Sequence, residues 1–437
     1  MRLNFNNTEL QKEMFKGEFG IEKECLRVDS EGFLSHTKHP FEELKNIDRD
    51  FCENQTEFIT DVFDSAKAAC EHLKELHCLA LNRLEHLATG NEYFWCFSNP
   101  PYVKNQDDIP VASYTGKHKG KELYRKYLAE KYGKVKMLFS GVHFNFSFPN
   151  EFIEKAYAQH SGMNLSDFKN SLYLKLAAEI ARYSWLVVYL TAASPVINGS
   201  FADFSMREKD IVTKYASCRC SEIGYWNDFT PILDYSSLAA YTESVSVYVR
   251  QGRLKSASEL YYPVRLKPRG KNTLENLISS GINHLEFRLL DLNPLSEIGV
   301  IQQDIEFIHL LVLYLSSIES TPFGNCEQSQ AIANIKNAAL LDDSKIFIIR
   351  DSTQIPVRDA AKKVLDDMSR FYSDYPNAYA QNILNYQYSK LTDSTSRYAD
   401  IIAKKYADDY ISKGMELAKR YSQRLRGVEA DVPAVCG

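Results

Sequence analysis

The clearest alternation of apolar and polar positions lies in Met137–Phe148, MLFSGVHFNFSF. There Val142, Phe144, Phe146 and Phe148 fall on one face of an extended chain and Gly141, His143, Asn145 and Ser147 on the other. This predicts a strand with an aromatic core face and a polar face carrying an imidazole beside an amide. Phe19–Val28, FGIEKECLRV, alternates as well, with Ile21, Lys23 and Cys25 opposed to Glu22, Glu24 and Leu26. Two carboxylates therefore share one face. A turn at Asp29–Gly32 predicts a hairpin over 19–35. Extended structure is predicted again at Glu259–Gly270 (ELYYPVRLKPRG) and at His284–Leu292 (HLEFRLLDL), where Glu286 and Arg288 share a face.

Helical spacing dominates elsewhere. Ala66, Ala69, Leu73, Leu76, Leu79 and Leu84 predict a helix from about Ser65 to Leu87. A basic helix follows at Lys117–Tyr132, closed by Gly133, and a long one at Leu172–Leu190 stops before Pro195. Tyr241–Gln251 fits either a strand or a short helix. Pro100, Pro101 and Pro110 make 96–111 irregular, and 219–225 reads the same way. Beyond about Asn293 the pattern is helical throughout: Ile301–Ser317, Ala331–Leu341, Arg358–Tyr372 and Ser396–Arg424, the last closing at Gly427. With no linker and no repeat, one α+β catalytic domain over 1–437 is expected, its helical C-terminal part covering about 295–430.

Composition narrows the partners. The chain is 44% hydrophobic and 12% aromatic, which a disordered scaffold does not reach. Lys and Arg number 52 against 57 Asp and Glu, with no basic block, so no nucleic-acid partner is expected. The start lacks a basic segment followed by an apolar one, so no signal peptide is read. The apolar runs Trp185–Ile197 and Phe307–Ile318 are too short to span a bilayer and are expected as buried helices, so no membrane partner is read. The nine cysteines are scattered, with only Cys218-x-Cys220 close together. That is neither a zinc pattern nor a disulfide framework; buried free thiols in a cytoplasmic protein are expected.

Placed together, the strand faces collect Glu22, Glu24, Asp50, Glu53, Glu57, His143 and Glu286, with Arg288, Arg125 and Arg219 as cations. Many carboxylates, one imidazole and no paired thiolates make a hard donor set, suited to Mg²⁺ or Mn²⁺. Several divalent ions imply a polyphosphate between them, and arginines add bidentate forks for phosphate or carboxylate. No glycine-rich phosphate loop or dinucleotide fingerprint occurs, so nucleotide must be held by metals and basic residues. Blander readings stand beside these: a solvated Glu-x-Glu edge, a core histidine at 143, and a structural Glu286–Arg288 ion pair.

Six segments, FGIEKECLRV, DFCENQTEFIT, LYRKYLAEKYGKVKMLFSGVHFNFS, RCSEIGY, ELYYPVRLK and HLEFRLLDLNPLSEIGV, resemble in this order the bacterial glutamate–cysteine ligases and the ligase part of fused glutathione synthetases. The resemblance runs from about residue 17 to the final helix. It implies a curved antiparallel sheet of the glutamine synthetase type, with helices outside and the site on the concave face. It also implies a reaction in which ATP phosphorylates the γ-carboxylate of L-glutamate and the amine of L-cysteine displaces the phosphate. By motif, Glu22, Glu24, Asp50, Glu57, His143 and Glu286 then correspond to the metal shell, and Arg288, beside Glu286, to the residue that steadies the transferred phosphoryl group. Phe51, Tyr124, Arg219, Tyr225 and Tyr261 correspond to the cysteine pocket, with Arg219 on the acceptor carboxylate and Arg125 near phosphate. Fused relatives carry an ATP-grasp domain that adds glycine; this sequence stops at Gly437 without one, so a separate glycine-adding enzyme is expected. A γ-glutamyl ligase for another amine, a two-metal phosphohydrolase and a non-catalytic binding module are the competing readings. The second usually needs more histidines than His143, and the third gives no reason for an intact acidic set.

Overall fold

The computed structural model describes residues 1–87, 91–206, 208–393 and 396–426; Gly427 and Cys436 lie outside them. The chain opens with α1 (Thr8–Gln11), β1 (Glu18–Val28), β2 (Ile47–Arg49), β3 (Gln55–Ile59), α2 (Ala66–Glu85), β4 (Tyr93–Phe94), α3 (Lys119–Tyr132) and β5 (Gly141–Ser147). It continues through α4 (Asn150–Tyr157), α5 (Leu165–Thr191), β6 (Val196–Asn198), β7 (Asp210–Val212), α6 (Leu238–Arg250), β8 (Val264–Lys267), α7 (Leu274–Ser280) and β9 (His284–Asp291). The rest is α8 (Gln302–Ser317), α9 (Asn325–Ala338), the pair β10 (Phe347–Arg350) and β11 (Thr353–Pro356), then α10 (Val357–Ser373), α11 (Ala378–Thr392), α12 (Tyr398–Tyr406) and α13 (Tyr410–Arg426).

The main sheet runs β2-β3-β1-β5-β9-β8, antiparallel at every step, with β4 added at the end of β1. Register sorts its two faces. Phe19 stands opposite Phe146, and Phe144 opposite Phe287, while Glu22 meets His143, Glu24 meets Glu57 and Asn145 meets Glu286. A one-residue slip would put the acids in the core, so the aromatic face fixes the acidic one. On the core side Phe19 stacks on Phe144 at 5.9 Å and Phe144 on Phe287 at 5.6 Å, under α5 and α8. Each fully buried ring contributes about 1.5–3 kcal/mol of transfer free energy.

Between Val142 and Phe144 the β5–β9 register shifts, so β9 bulges at Arg288 and Leu289. Arg288 keeps the face it shares with Glu286, and the bulge resets the alternation after it, so that Leu290 returns to the core opposite Val142. A second core of Phe51, Trp95, Phe97, Leu138 and Tyr410 sits under the loops at the C-terminal end of β1. Here α13 closes in at Gly414, where a Cβ would lie 2.3 Å from the Trp95 ring. Only glycine permits that approach.

Several expectations are corrected. The helical C-terminal part is interrupted by β10–β11, joined by Asp351 and Ser352 at φ 49° and 62° in the manner of a tight hairpin turn. The expected helix over 396–424 is two helices, because the Asp409 carboxylate accepts the Ser412 N–H at 3.1 Å and starts α13 afresh. Of the two readings left open for Tyr241–Gln251 the helix holds, started by Ser237, whose hydroxyl accepts the Ala240 N–H. Of Glu259–Gly270 only Val264–Lys267 is strand. The 19–35 hairpin returns through an isolated Val28–Leu34 bridge rather than a second strand. Cys326 is exposed and Cys96 half-buried, so not every thiol is in the core. Among the described residues no helix is long and apolar enough to cross a membrane.

Candidate active site

Three strands deliver the centre. Glu22 from β1, His143 from β5 and Glu286 from β9 offer donor atoms that all lie within 4.8 Å of one another. His143 Nδ1 is 3.4 Å from Glu22 Oε2 and 4.0 Å from Glu286 Oε1, while Nε2 is 3.7 Å from Glu24 Oε1. Burial, and then the charge of Arg288, draw the imidazole pKa down to about 4, so it is neutral and able to ligate. Asn145 donates to Glu22 Oε1 at 2.9 Å, and its own carbonyl oxygen is buried without a hydrogen bond. An orphaned amide oxygen among two carboxylates and a neutral imidazole is a donor set that fits a hard divalent cation.

Glu286 lies amid cations. Arg265 grips it with Nε at 2.5 Å and Nη2 at 3.2 Å, and Lys267 and Arg288 reach it at 3.3 and 3.2 Å. Burial opposes its charge, yet these three hold its carboxyl well below the usual range. Glu22 behaves alike: burial works against ionisation and the contact with His143 still leaves it below its ordinary value. Toward the other edge the balance reverses. Burial, and then Asp50, push Glu24 up to about 8, although Gly141 N–H donates to it at 3.0 Å. Burial, Asp50, Glu22 and Glu24 raise Glu57 well above the carboxylate range.

Arg219 comes from the irregular 219–225 segment and lies across β5. Its Nη1 donates to the Arg288 carbonyl at 2.6 Å, Nη2 is 3.4 Å from His143 Nε2, and Nε is buried with no hydrogen bond. The guanidinium fits there because residue 141 is glycine; a Cβ would sit 2.3 Å from it. Arg219 and Arg288 line a cavity of about 40 Å³ with Tyr225, Tyr261 and Tyr262. Tyr225 and Tyr261 meet edge to face at 4.6 Å, and Tyr261 leans on Tyr132 at 5.5 Å. Burial and the charge of Glu24 push the Tyr225 hydroxyl up to about 12.

The remaining expected residues do not line this cavity. Tyr124 and Tyr225 pack against the rim of the second core, in which Phe51 is wholly buried. Arg125 donates through all three nitrogens to main-chain carbonyls of Asp50, Arg49 and Lys121, so it fastens α3 to the Asp50 turn. Glu53 is not in the cluster. Its carboxylate accepts the His39 and Ser113 N–H groups and faces Arg49. Sequence reading passed over Arg265, Lys267, Asn145 and Gly141 as functional positions. The alternation Val264-Arg-Leu-Lys267 put both cations on the Glu286 face and was the available signal.

A larger cavity, about 640 Å³, lies elsewhere, between α5, the 232–236 segment and the start of α9, and none of the residues above lines it. It is not where the acidic chemistry is concentrated.

This fold, an antiparallel sheet backed by helices, recurs in solved structures. Glutamate–cysteine ligase from Francisella tularensis, solved in complex with AMP, has the same fold at a TM-score of 0.83, with 24% identity, over 96% of this chain and 90% of that one. A bifunctional glutathione synthetase from Pasteurella multocida matches at 0.82 with 27% identity, over 96% of this chain and 54% of that one. The sequence matches the glutamate–cysteine ligase family model over residues 3–255 and 230–338; the chain belongs to that family. The glutathione biosynthesis bifunctional protein GshAB of Listeria innocua is 36% identical across 97% of this chain, and that of Clostridium perfringens 31% across 96%. In both cases the match covers 56% of the relative, so the chain spans about half the length of these curated relatives.

Proposed function

We propose that the protein joins the γ-carboxylate of L-glutamate to the amine of L-cysteine at the expense of ATP, giving γ-glutamylcysteine, ADP and phosphate through a γ-glutamyl phosphate. The observation that carries this reading is the convergence of Glu22, His143 and Glu286 beside Arg288, in a member of the glutamate–cysteine ligase family. The sheet is read as the curved, glutamine synthetase-like type, and the whole chain as one catalytic domain braced by its C-terminal helices. Such a ligase works in the cytoplasm.

Glu22, His143 and Glu286, with Glu24, Asp50 and Glu57, would hold Mg²⁺ or Mn²⁺, and Asn145 presents a further oxygen. When bound, such ions neutralise the charge of a polyphosphate during in-line transfer. The protein's own share is positioning and charge. Arg288, beside Glu286, would supply the cation for a transferred phosphoryl group, and Arg265 and Lys267 keep Glu286 ionised. Arg219 offers its unpaired Nε to the acceptor's α-carboxylate, and Tyr225 and Tyr261 wall the small cavity beside it. Tyr124 and Phe51 support that wall, and Arg125 holds the Asp50 turn from behind.

The deciding experiment measures ATP-dependent phosphate release with Mg²⁺ and L-glutamate against L-cysteine, L-2-aminobutyrate, L-serine, glycine and no amine. Strong stimulation by the first two is expected. A different preferred amine makes the protein another γ-glutamyl ligase, and release without any amine makes it a hydrolase.

A further inference from the structure

We propose that the cleft between α5, the 232–236 segment and the start of α9 is a second ligand site, built for a zwitterion of amino-acid or short-peptide type. Its volume of about 640 Å³ falls within the range of small-molecule sites, and it is separate from the acidic centre.

The charges on its walls are arranged in a pair. Lys175 is almost fully buried, and its ammonium donates to the carbonyls of Ser316 at 3.0 Å and Ile318 at 2.6 Å. An ammonium carries three protons, so one remains for a ligand anion. Glu179 follows one turn later on the same face of α5, also buried, and Asp234 stands across the cleft on the rim. Arg182 lies 3.5 Å from Glu179, and Lys175, the Thr321 N–H and Arg350 also favour its charge. Burial pulls Lys175 down to about 8 and pushes Glu179 up. A ligand carrying both signs can set its carboxylate on Lys175 and its ammonium on Glu179 or Asp234, all of which line the cleft. Leu174, Ile232 and Phe323 supply an apolar wall for the ligand's remaining atoms.

The cleft also touches the acceptor cavity through one side chain. Gln328, on the cleft wall, accepts the Leu233 N–H at 2.8 Å and donates to the Leu233 and Phe323 carbonyls at 2.7 and 2.9 Å. The Tyr262 hydroxyl, beside Tyr261, reaches the same Gln328 oxygen at 3.5 Å. A ligand seated against 232–236 therefore meets, through Gln328, the segment behind the acceptor wall.

Calorimetric titration of the full chain with L-phenylalanine reads binding without turnover. A Kd of about 1 mM or tighter is expected, with at least about tenfold weaker binding of L-phenylalaninamide and of N-acetyl-L-phenylalanine, since each lacks one charge. Lys175→Met and Ser236→Trp should each abolish the titration. Ser236 is on the exposed rim, so its variant keeps the test valid where loss of Lys175 disturbs the end of α8. Absence of binding, equal binding of the blocked probes, or titration unchanged in Ser236→Trp overturns the proposal.

Discussion

At one end of the acidic face Glu286 is enclosed by Arg265, Lys267 and Arg288; at the other, Glu24 and Glu57 stand opposite each other with Asp50 near both. Among the described residues no lysine or arginine forms an ion pair with Glu24 or Glu57. The two ends answer the same problem, buried carboxylates, in opposite ways. The Glu286 end supplies its cations from β8 and β9 and is folded ready. The Glu24 end leaves the compensation to a proton or to an ion from outside. The face is thus compensated from within at the Glu286 end and open to a proton or an added cation at the Glu24 end.

Glu286→Gln is the sharpest way to break this contrast. It removes the one carboxylate shared by three cations, so phosphate release should fall by about 10²–10³-fold or more. Leaving those buried cations uncompensated should also cost about 3–5 kcal/mol in chemical unfolding. Full activity in this variant would remove Glu286 from the site. Arg219→Ala comes next. The KM for L-cysteine should rise about 10–100-fold, with the L-glutamate KM nearly unchanged; equal rises in both would place Arg219 elsewhere in the site. Gly141→Ala tests the same arginine by displacement, since the added methyl overlaps its guanidinium. A rise in the cysteine KM of roughly the same kind but smaller is expected, and an unaltered KM would show that Arg219 has room to move without consequence.

The acidic face was readable to different depths in its different parts. Glu22, Glu24 and His143 sit on strands with a clean period of two, and the aromatic face leaves their orientation no freedom. Glu286 and Arg288 were readable as neighbours on one face, but not the bulge at Arg288 and Leu289, because a bulge depends on the partner strand's register. Arg265 and Lys267 look like solvent charges in sequence; they acquire a role only when Arg265 pairs with Glu286, 21 residues away, across β8 and β9. Glu53 was misplaced because it sits in a turn, where alternation says nothing about direction. The β10–β11 hairpin escaped because FIIR and TQIP are four residues each, too short for a period of two to show.

The smallest expected effect bears on the Glu24 end alone. Its folded-state pKa is raised above the unfolded value, so its protonation stabilises the fold at low pH and that contribution is lost as pH rises through about 8. His143 acts the other way: drawn down to about 4, it contributes stability above the ordinary histidine range that is lost on acidification. Between about pH 8 and 6.5 the raised carboxyls, Glu24 and Glu57, dominate over His143, and the Glu24 effect amounts to on the order of 1 kcal/mol for each tenfold change in proton concentration. Without divalent cations, Tm should therefore rise by roughly 2–5 °C as pH falls across that window. Mg²⁺ competes with the proton for the same carboxylates, so it should stabilise more at pH 8 than at pH 6.5 and flatten the profile. Glu24→Gln removes the titrating group, and the slope that survives belongs to Glu57. An unchanged slope in the Glu24→Gln, Glu57→Gln double variant would mean that the open end of the face is already neutralised by the fold, and the contrast between the two ends would be lost.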